Sequence, residues 1–274
     1  MKSIKSKLQR GLGFMVFACL MCLCLSAVFA VEGSAVTDWE NDILRGTGYG
    51  IPQKDAENPG QARIWAHQAA MMDAYRRLGE AANGIHITAD STISRNISTG
   101  DIVSGQVDAV IKRAKVISED YDQWGNCTVV LEVPLYGVTN SIAKVALKPV
   151  AADAFPEPTT EVSASGGYTG LVVDCSGLGL TPNMSPVIQD ADGRNIYGYD
   201  QLDSGMVVAK GMASFAKGMK GNLNRAGSNP LVVKATSLTH NNSYPVISAD
   251  DADKILAENG ASHFLDECKV VLVQ

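Results

Sequence analysis

The spacing of apolar positions changes period several times along this chain, and each change marks an element. ILRGTGYGI (43–51) alternates glycine and apolar residues with polar ones at the strand period of two. A helical period follows, with Asn58 as cap, Pro59 in the first turn and Asn83-Gly84 as the stop. Inside it Ala62, Ala66, Ala69, Ala74, Leu78 and Ala81 keep helical spacing, and Trp65, Met72 and Tyr75 broaden the apolar face. IHITADSTIS (85–94) places Ile85, Ile87, Ala89 and Ile93 at strand spacing, and a short helix over Asp101–Lys112 gathers Ile102, Val107 and Val110, flanked by Val103 and Ile111. VISEDYDQWGNCTVVLEVPLYG (116–137) predicts a hairpin turning at Trp124-Gly125-Asn126, whose second arm alternates Cys127, Val129, Leu131, Val133 and Leu135 on one face. The order β-α-β-α-β-β, ending in a hairpin, predicts an α+β fold: an antiparallel sheet with two helices packed on one face.

Residues 149–167, PVAADAFPEPTTEVSASGG, combine Pro149, Pro156 and Pro158 with a Ser- and Gly-rich end, the composition of a linker. It separates a domain over 43–148, preceded by an exposed segment over 31–42, from a second α+β domain with a mixed sheet over 168–274. In that second domain, strands are predicted at 168–177 and 230–238, a hairpin over 185–198 turning at Asp192-Gly193, and a closing strand at 269–274. Ser248 with Asp251 reads as a capping box opening a helix that carries Ile255 and Leu256. No element is assigned to 199–229.

The first thirty residues alter the picture most. Lys2, Lys5, Lys7 and Arg10 precede an uncharged run from Gly11 to Ala30, with Val28-Phe29-Ala30 at its end, the pattern of a secretory signal peptide over 1–30 cleaved after Ala30. Two other readings stay open: an uncleaved anchor, since the run approaches the ~20 residues that span a bilayer, and a lipoprotein modified at Cys19, although Phe17 is bulky for such a signal. The address is exported, in the periplasm or cell envelope, with the membrane touched only through this segment if it is retained. Of the 23 Lys and Arg, four lie in this segment, as do none of the 29 Asp and Glu, so the rest of the chain carries a net charge near −10. That surface repels phosphate backbones, and no nucleic-acid partner is expected.

Beyond residue 30 the cysteines are Cys127, Cys175 and Cys268, an odd number that excludes a disulfide scaffold. Cys175 and Cys268 flank apolar runs and could pair; buried free thiols are an equal alternative. Other chemistry-bearing patterns fail on spacing. Gly46, Gly48 and Gly50 form G-x-G-x-G, too far before the helix to hold a phosphate, and read instead as a strand on which the alanine helix packs closely. Gly177 and Gly179 are followed by Thr181-Pro182 rather than a helix. Asp190 to Asn195 superficially resembles a calcium loop, but glycine stands fourth and no distal glutamate follows, so a hairpin turn is expected. His67, His86, His240 and His263 lack zinc spacing, and His67 is expected on a solvent face of the first helix near Arg63 and Asp73. Asp174-Cys175-Ser176 with His240 or His263 is the sole thiol arrangement to consider, and a buried Cys175 outweighs a nucleophile. No catalytic, metal or cofactor-binding residue, and no cofactor, is therefore assigned.

The run Ala66 to Ala70, Asp73-Ala74, Arg76-Arg77-Leu78, Glu80 and Gly84, closed by VVLEVPLYG (129–137), resembles a bacterial envelope lipoprotein family (LPP-type) that shares its domain with the amino-terminal part of flagellar assembly protein T. The resemblance covers about residues 43–140. GLVVDCSGLGLTPNMSPVI and RAGSNPLVVKA look like a domain that accompanies this module in other exported proteins. The resemblance implies a non-enzymatic cell-envelope protein, a structural or assembly module whose partners are other envelope proteins or copies of itself. The alternative from another class is a periplasmic small-ligand-binding or hydrolytic protein using the cleft between domains.

Overall fold

The computed structural model describes residues 33–274; the signal segment, Cys19 and the cleavage site at Ala30 lie outside the described residues. Strands β1 (Ser34–Asp38) and β2 (Ile43–Gly50) open an antiparallel sheet of order β1-β2-β4-β3, completed by β3 (Lys115–Tyr121) and β4 (Cys127–Pro134). Helix α1 (Pro59–Asn83) covers one face, and α2 (Ile93–Ser98) and α3 (Ser104–Ile111) pack on α1. Asn58 caps α1 as expected, its side chain accepting the Gln61 N–H at 2.9 Å.

Glycine and alanine decide how closely α1 sits. Its inward stripe is Ala66, Ala70, Ala74, Leu78 and Ala82, strictly four apart. Below it lie Gly46, Gly48 and Gly50, in register with Leu131, Val129 and Cys127 of β4. A Cβ on Gly48 would overlap the Ala70 carbonyl oxygen and the Ala74 nitrogen; one on Gly50 would overlap the Ala66 carbonyl. The strand gives up its side chains so that the helix backbone rests on it, the expected alternative to a phosphate loop. The inward set is shifted from the predicted one: Ala69 and Met72 face solvent, Met72 at 74% exposure.

Two further predictions are corrected. The segment 31–42 is not simply an exposed tail, since Ser34–Asp38 pairs with β2 from Ser34↔Thr47 to Asp38↔Ile43, and Asp38 caps the turn by accepting the Glu40 and Asn41 N–H groups. The strand predicted over 85–94 is a folded-back loop with one bridge, His86↔Thr92, after which Thr92 caps α2. Ile85, Ile87, Ala89 and Ile93 are buried as predicted. The loop's outer carbonyls, His86 and Ile87, instead accept the N–H groups of Met184 and Ser185, at 3.0 and 2.8 Å.

Helix α4 (Ile142–Ala146) leads into the 149–167 stretch, and then the second half begins. It is α+β with two sheets. One is parallel, of order β8-β12-β5-β9, from β8 (Ala213–Ala216), β12 (Val270–Val273), β5 (Leu171–Asp174) and β9 (Leu231–Lys234). Val270 to Val273 are all buried, as the central strand of a sheet covered on both faces requires. The other is mixed, of order β10-β11-β6-β7, from β6 (Ile188–Gln189), β7 (Asn195–Tyr197), β10 (Ser237–Thr239) and β11 (Tyr244–Val246). The unassigned 199–229 contains helix α5 (Ser204–Lys210) and β8. Helix α6 (Ala249–Ser262) starts on the predicted capping box: the Asp251 N–H donates to Ser248 Oγ, which donates to the Asp251 carboxylate.

Residues 33–274 form one compact unit, and the larger of two apolar clusters runs through both halves, the smaller one (Val172, Ala216, Ala226, Val271 and Val273) lying in the second half. Trp39 sets its ring edge-on to Phe215 with centroids 5.6 Å apart, Gly211 presents bare backbone to the Tyr136 ring, and the Gly137 N–H donates to the Val208 carbonyl at 2.8 Å. Burying one side chain of Phe215's size is worth about 1.5–3 kcal/mol, so this seam holds the halves together.

Candidate functional site

The sequence-derived candidates fall into separate places. Asp190 occupies the turn between β6 and β7, its carboxylate accepting the Asp192 and Arg194 N–H groups and the Arg194 guanidinium at 2.9–3.0 Å. The loop thus fills itself, and Gly193 takes positive φ as a hairpin turn requires. His67 lies on α1 with Nε2 3.2 Å from Glu119 of β3, rather than beside Asp73, whose carboxylate is engaged by Arg76 and Arg77. His240 stacks on Tyr244, and His263 ends α6 beside Asp266. Neither is a hydrogen-bond or ion-pair partner of Cys175 among the described residues. Burial, helped by the neighbouring Asp174, pushes the Cys175 thiol up to about 12 and holds it protonated.

The Cys175–Cys268 pairing is not made: Cys127, Cys175 and Cys268 are all free and buried. The reason is register. β5 and β12 run parallel from Leu171↔Val270 to Asp174↔Val273, so Cys268 precedes one end of the ladder and Cys175 follows the other. About six residues at ~3.3 Å each separate them along the strands, far beyond the ~7 Å Cα limit for a disulfide. Among the described residues no three His, Cys, Asp or Glu side chains gather as metal ligands, and no helix is long and apolar enough to cross a membrane.

Two buried carboxylates that composition did not single out organise the 149–167 stretch. Asp253 and Glu258 on α6 are each 2% exposed. Asp253 accepts from the N–H and hydroxyl groups of both Thr159 and Thr160 at 2.7–2.9 Å, and from Arg194 at 3.1 Å. Those bonds, the Thr159 pair foremost, hold its carboxyl far below the usual range. Glu258 accepts from Ser165 N–H, Ser165 Oγ and Gly166 N–H at 2.8–2.9 Å, and these bonds lower its pKa although burial works to raise it. The stretch carries no helix or strand, as a linker's composition predicts, but it is strapped to α6 rather than free. Phe155, within it, stacks on Tyr197 at 6.4 Å.

A third charged site joins the halves. Arg225 donates to Ser214 Oγ (2.6 Å) and to the carbonyls of Gly211 (3.1 Å), Cys268 (3.3 Å) and Lys210, and its guanidinium lies 3.5 Å from Asp42 Oδ2 in the turn between β1 and β2. Burial raises the Asp42 carboxyl to about 6, against the opposing pull of Arg225.

The surface differs most from an ordinary solvated face along β3. It is an edge strand, and six of its seven residues are exposed. Opposite residues in a ladder share a face, so Val116, Glu119 and Tyr121, paired with Leu131, Val129 and Cys127, lie on the helix side. Lys115, Ser118 and Asp120 lie on the other, and a register shift falls between Val116 and Ser118. Ile117, in the shift, is 44% exposed, and Trp124 at the hairpin tip is 71% exposed. Arg63 lies over the Tyr121 ring, 4.8 Å from its centroid. Aromatic and Arg side chains beside an open strand edge are the parts of a protein contact surface. The sequence signal is IxxDYDQW, whose apolar and aromatic residues also fit a hairpin arm and its turn.

These features define an α+β protein whose most distinctive exposed element is a strand edge. A family model described as Treponema pallidum Tp0624, second domain, matches residues 170–274, starting where the second half starts. The match covers the parallel and mixed sheets and α6, well under half of the chain, and the second half is similar to that domain. None of the curated proteins compared with the chain matches it.

Proposed function

We propose that this chain is a non-enzymatic, exported cell-envelope module that works by binding other envelope proteins or copies of itself. The observation that carries the reading is β3: an edge strand with exposed Val116, Ile117 and Tyr121, followed by the exposed Trp124 at the hairpin tip. An edge of this kind offers unpaired backbone groups to a further strand, and side chains on both faces to select it. Export is supported by the charge and apolar pattern of residues 1–30, and an assembly role, flagellar or otherwise, by the resemblance of residues 43–140 alone.

The test is a photo-crosslinking amino acid substituted for Ile117 in the full chain in cells, with Val232, exposed on β9, as the control position. Adducts from position 117 and none from 232 are expected. The alternative, a ligand-binding or hydrolytic protein, has a specific place in a groove of about 370 Å³ beside the seam, lined by Val138, Leu147, Pro149 and Val208. A metabolite that raises the melting temperature, together with no adduct from position 117, overturns the interaction reading.

A further inference from the structure

We infer that β3 pairs antiparallel with β3 of a second copy of this chain, making an eight-stranded sheet across a two-fold axis; the inference deepens the interaction reading and rests on it. Charge order singles out that occupant. The strand opens on a basic residue, Lys115, just after Lys112 and Arg113 of the preceding turn, and nears its end on Glu119 and Asp120, all exposed. An antiparallel neighbour that complements this order must itself be basic first and acidic last, which is the order of β3.

Register follows from the faces. Residues opposite one another across a ladder must share a face, and the shift at Val116/Ser118 puts Lys115 and Asp120, five apart, on the same one. Pairing Lys115 with Asp120 of the second copy sets Val116 opposite Glu119, both on the helix side. The two-fold axis doubles the Lys115–Asp120 pair, giving two ion pairs in all. Lys115 and Asp120 have no ion-pair partner among the described residues of their own chain.

A bulge commonly guards an edge against open-ended stacking. Here it fixes one register, and the two-fold closes on itself so that no further strand can join at β3. One strand from each copy makes a contact of the weak, concentration-dependent class.

Sedimentation velocity of the full chain in its exported form, over a concentration series at low and high salt, tests this. A dimer that weakens with salt is expected. K115E and D120K, each setting like charges opposite one another twice, should raise its dissociation constant by at least about tenfold. An equimolar mixture of the two variants should restore dimers, because each then presents the charge the other lacks. A monomer at the highest attainable concentration, or a dimer indifferent to both reversals, overturns the pairing. If that monomer still yields adducts with another protein from position 117, self-pairing falls and the interaction reading stands; with no adduct, both fall.

Discussion

Replacing Asp42 by Asn should stabilise the protein at pH 8 and do nothing for it at pH 4. Asp42 sits in the turn between β1 and β2 at φ 57°, a left-handed conformation that Asn adopts as readily as Asp. Its side chain is 27% exposed, and Oδ1 is buried with no hydrogen-bond donor among the described residues. Burial raises its carboxyl to about 6, Asp38 adds to the rise, and Arg225 at 3.5 Å only partly offsets it. The folded state therefore holds the proton more tightly than the unfolded chain does. Stability from this group is complete below about pH 4 and is lost as pH rises through 6. Roughly two pKa units correspond to at most about 3 kcal/mol, an upper value because solvent reaches the group. Asn carries no charge to desolvate, and Arg225 keeps its bonds to Ser214 and to the three carbonyls. At pH 8, D42N should thus gain about 1–3 kcal/mol, or several degrees of melting temperature for a chain of this size. Thermal unfolding of both proteins from pH 4 to 8, read as the difference so that other titrations cancel, measures it. A variant less stable than wild type by the same amount at both pH values would refute the reasoning, since attraction to Arg225 would then outweigh burial.

Other residues give sharp contrasts. Gly48→Ala forces a Cβ into the α1 backbone and should cost about 3 kcal/mol or more in urea unfolding, while Gly79→Ala on the same helix meets nothing within 4 Å and should stabilise by up to about 1 kcal/mol. Asp253→Ala strips four donors of Thr159 and Thr160 and leaves Arg194 without that partner, for a loss of about 3–5 kcal/mol. Hydrogen exchange at the Thr159 and Thr160 amides should speed up well before the sheets unfold. Iodoacetamide at pH 8 should leave Cys127, Cys175 and Cys268 unmodified in the folded protein and label all three in denaturant without a reductant. Retention of a 175–268 linkage in peptide mass spectra would contradict the register of β5 and β12.

How much the sequence disclosed depended on whether the deciding interactions were local. The capped helix 59–83, the 116–137 hairpin and the Ser248 capping box rest on neighbours a few residues away, and these elements are present where predicted, although the inward face of the helix is shifted. The segment 85–94 has strand periodicity because alternate residues are buried, yet its carbonyls pair with residues 184 and 185, some hundred positions on. Nothing local distinguishes those two situations. β1 offers only Ala35 and Val36 as apolar residues and is a strand because β2 lies beside it. The 149–167 stretch lacks periodicity, as linkers do, but Asp253 and Glu258 that fix it lie on a helix whose polar residues look like solvated ones. For the candidate site the strand and its exposed tip were legible, while its position at the sheet edge was not, since edge or centre is a property of strand order.

The strap and the seam bear on what such an edge can do. A free linker would let the two halves move independently, and a contact made through β3 would then say little to residues 170–274. Here the 149–167 stretch is held at Thr159, Thr160, Ser165 and Gly166. Arg225 ties the β1–β2 turn to the end of α5, and the Gly137 N–H ties the end of β4 to α5. β4 is the strand on which β3 hangs. A load or partner taken up at β3 is therefore referred through β4, the Gly137–Val208 backbone bond and the Arg225 cluster to the second half rather than through a tether. An antiparallel pair across β3 would accordingly set two second halves at a fixed spacing and orientation, a property suited to a scaffold. Loosening the strap through Asp253 should therefore leave both that spacing and the charge-dependent pairing at Lys115 and Asp120 intact, because the halves are joined through β4 and the seam and neither Lys115 nor Asp120 touches the strap.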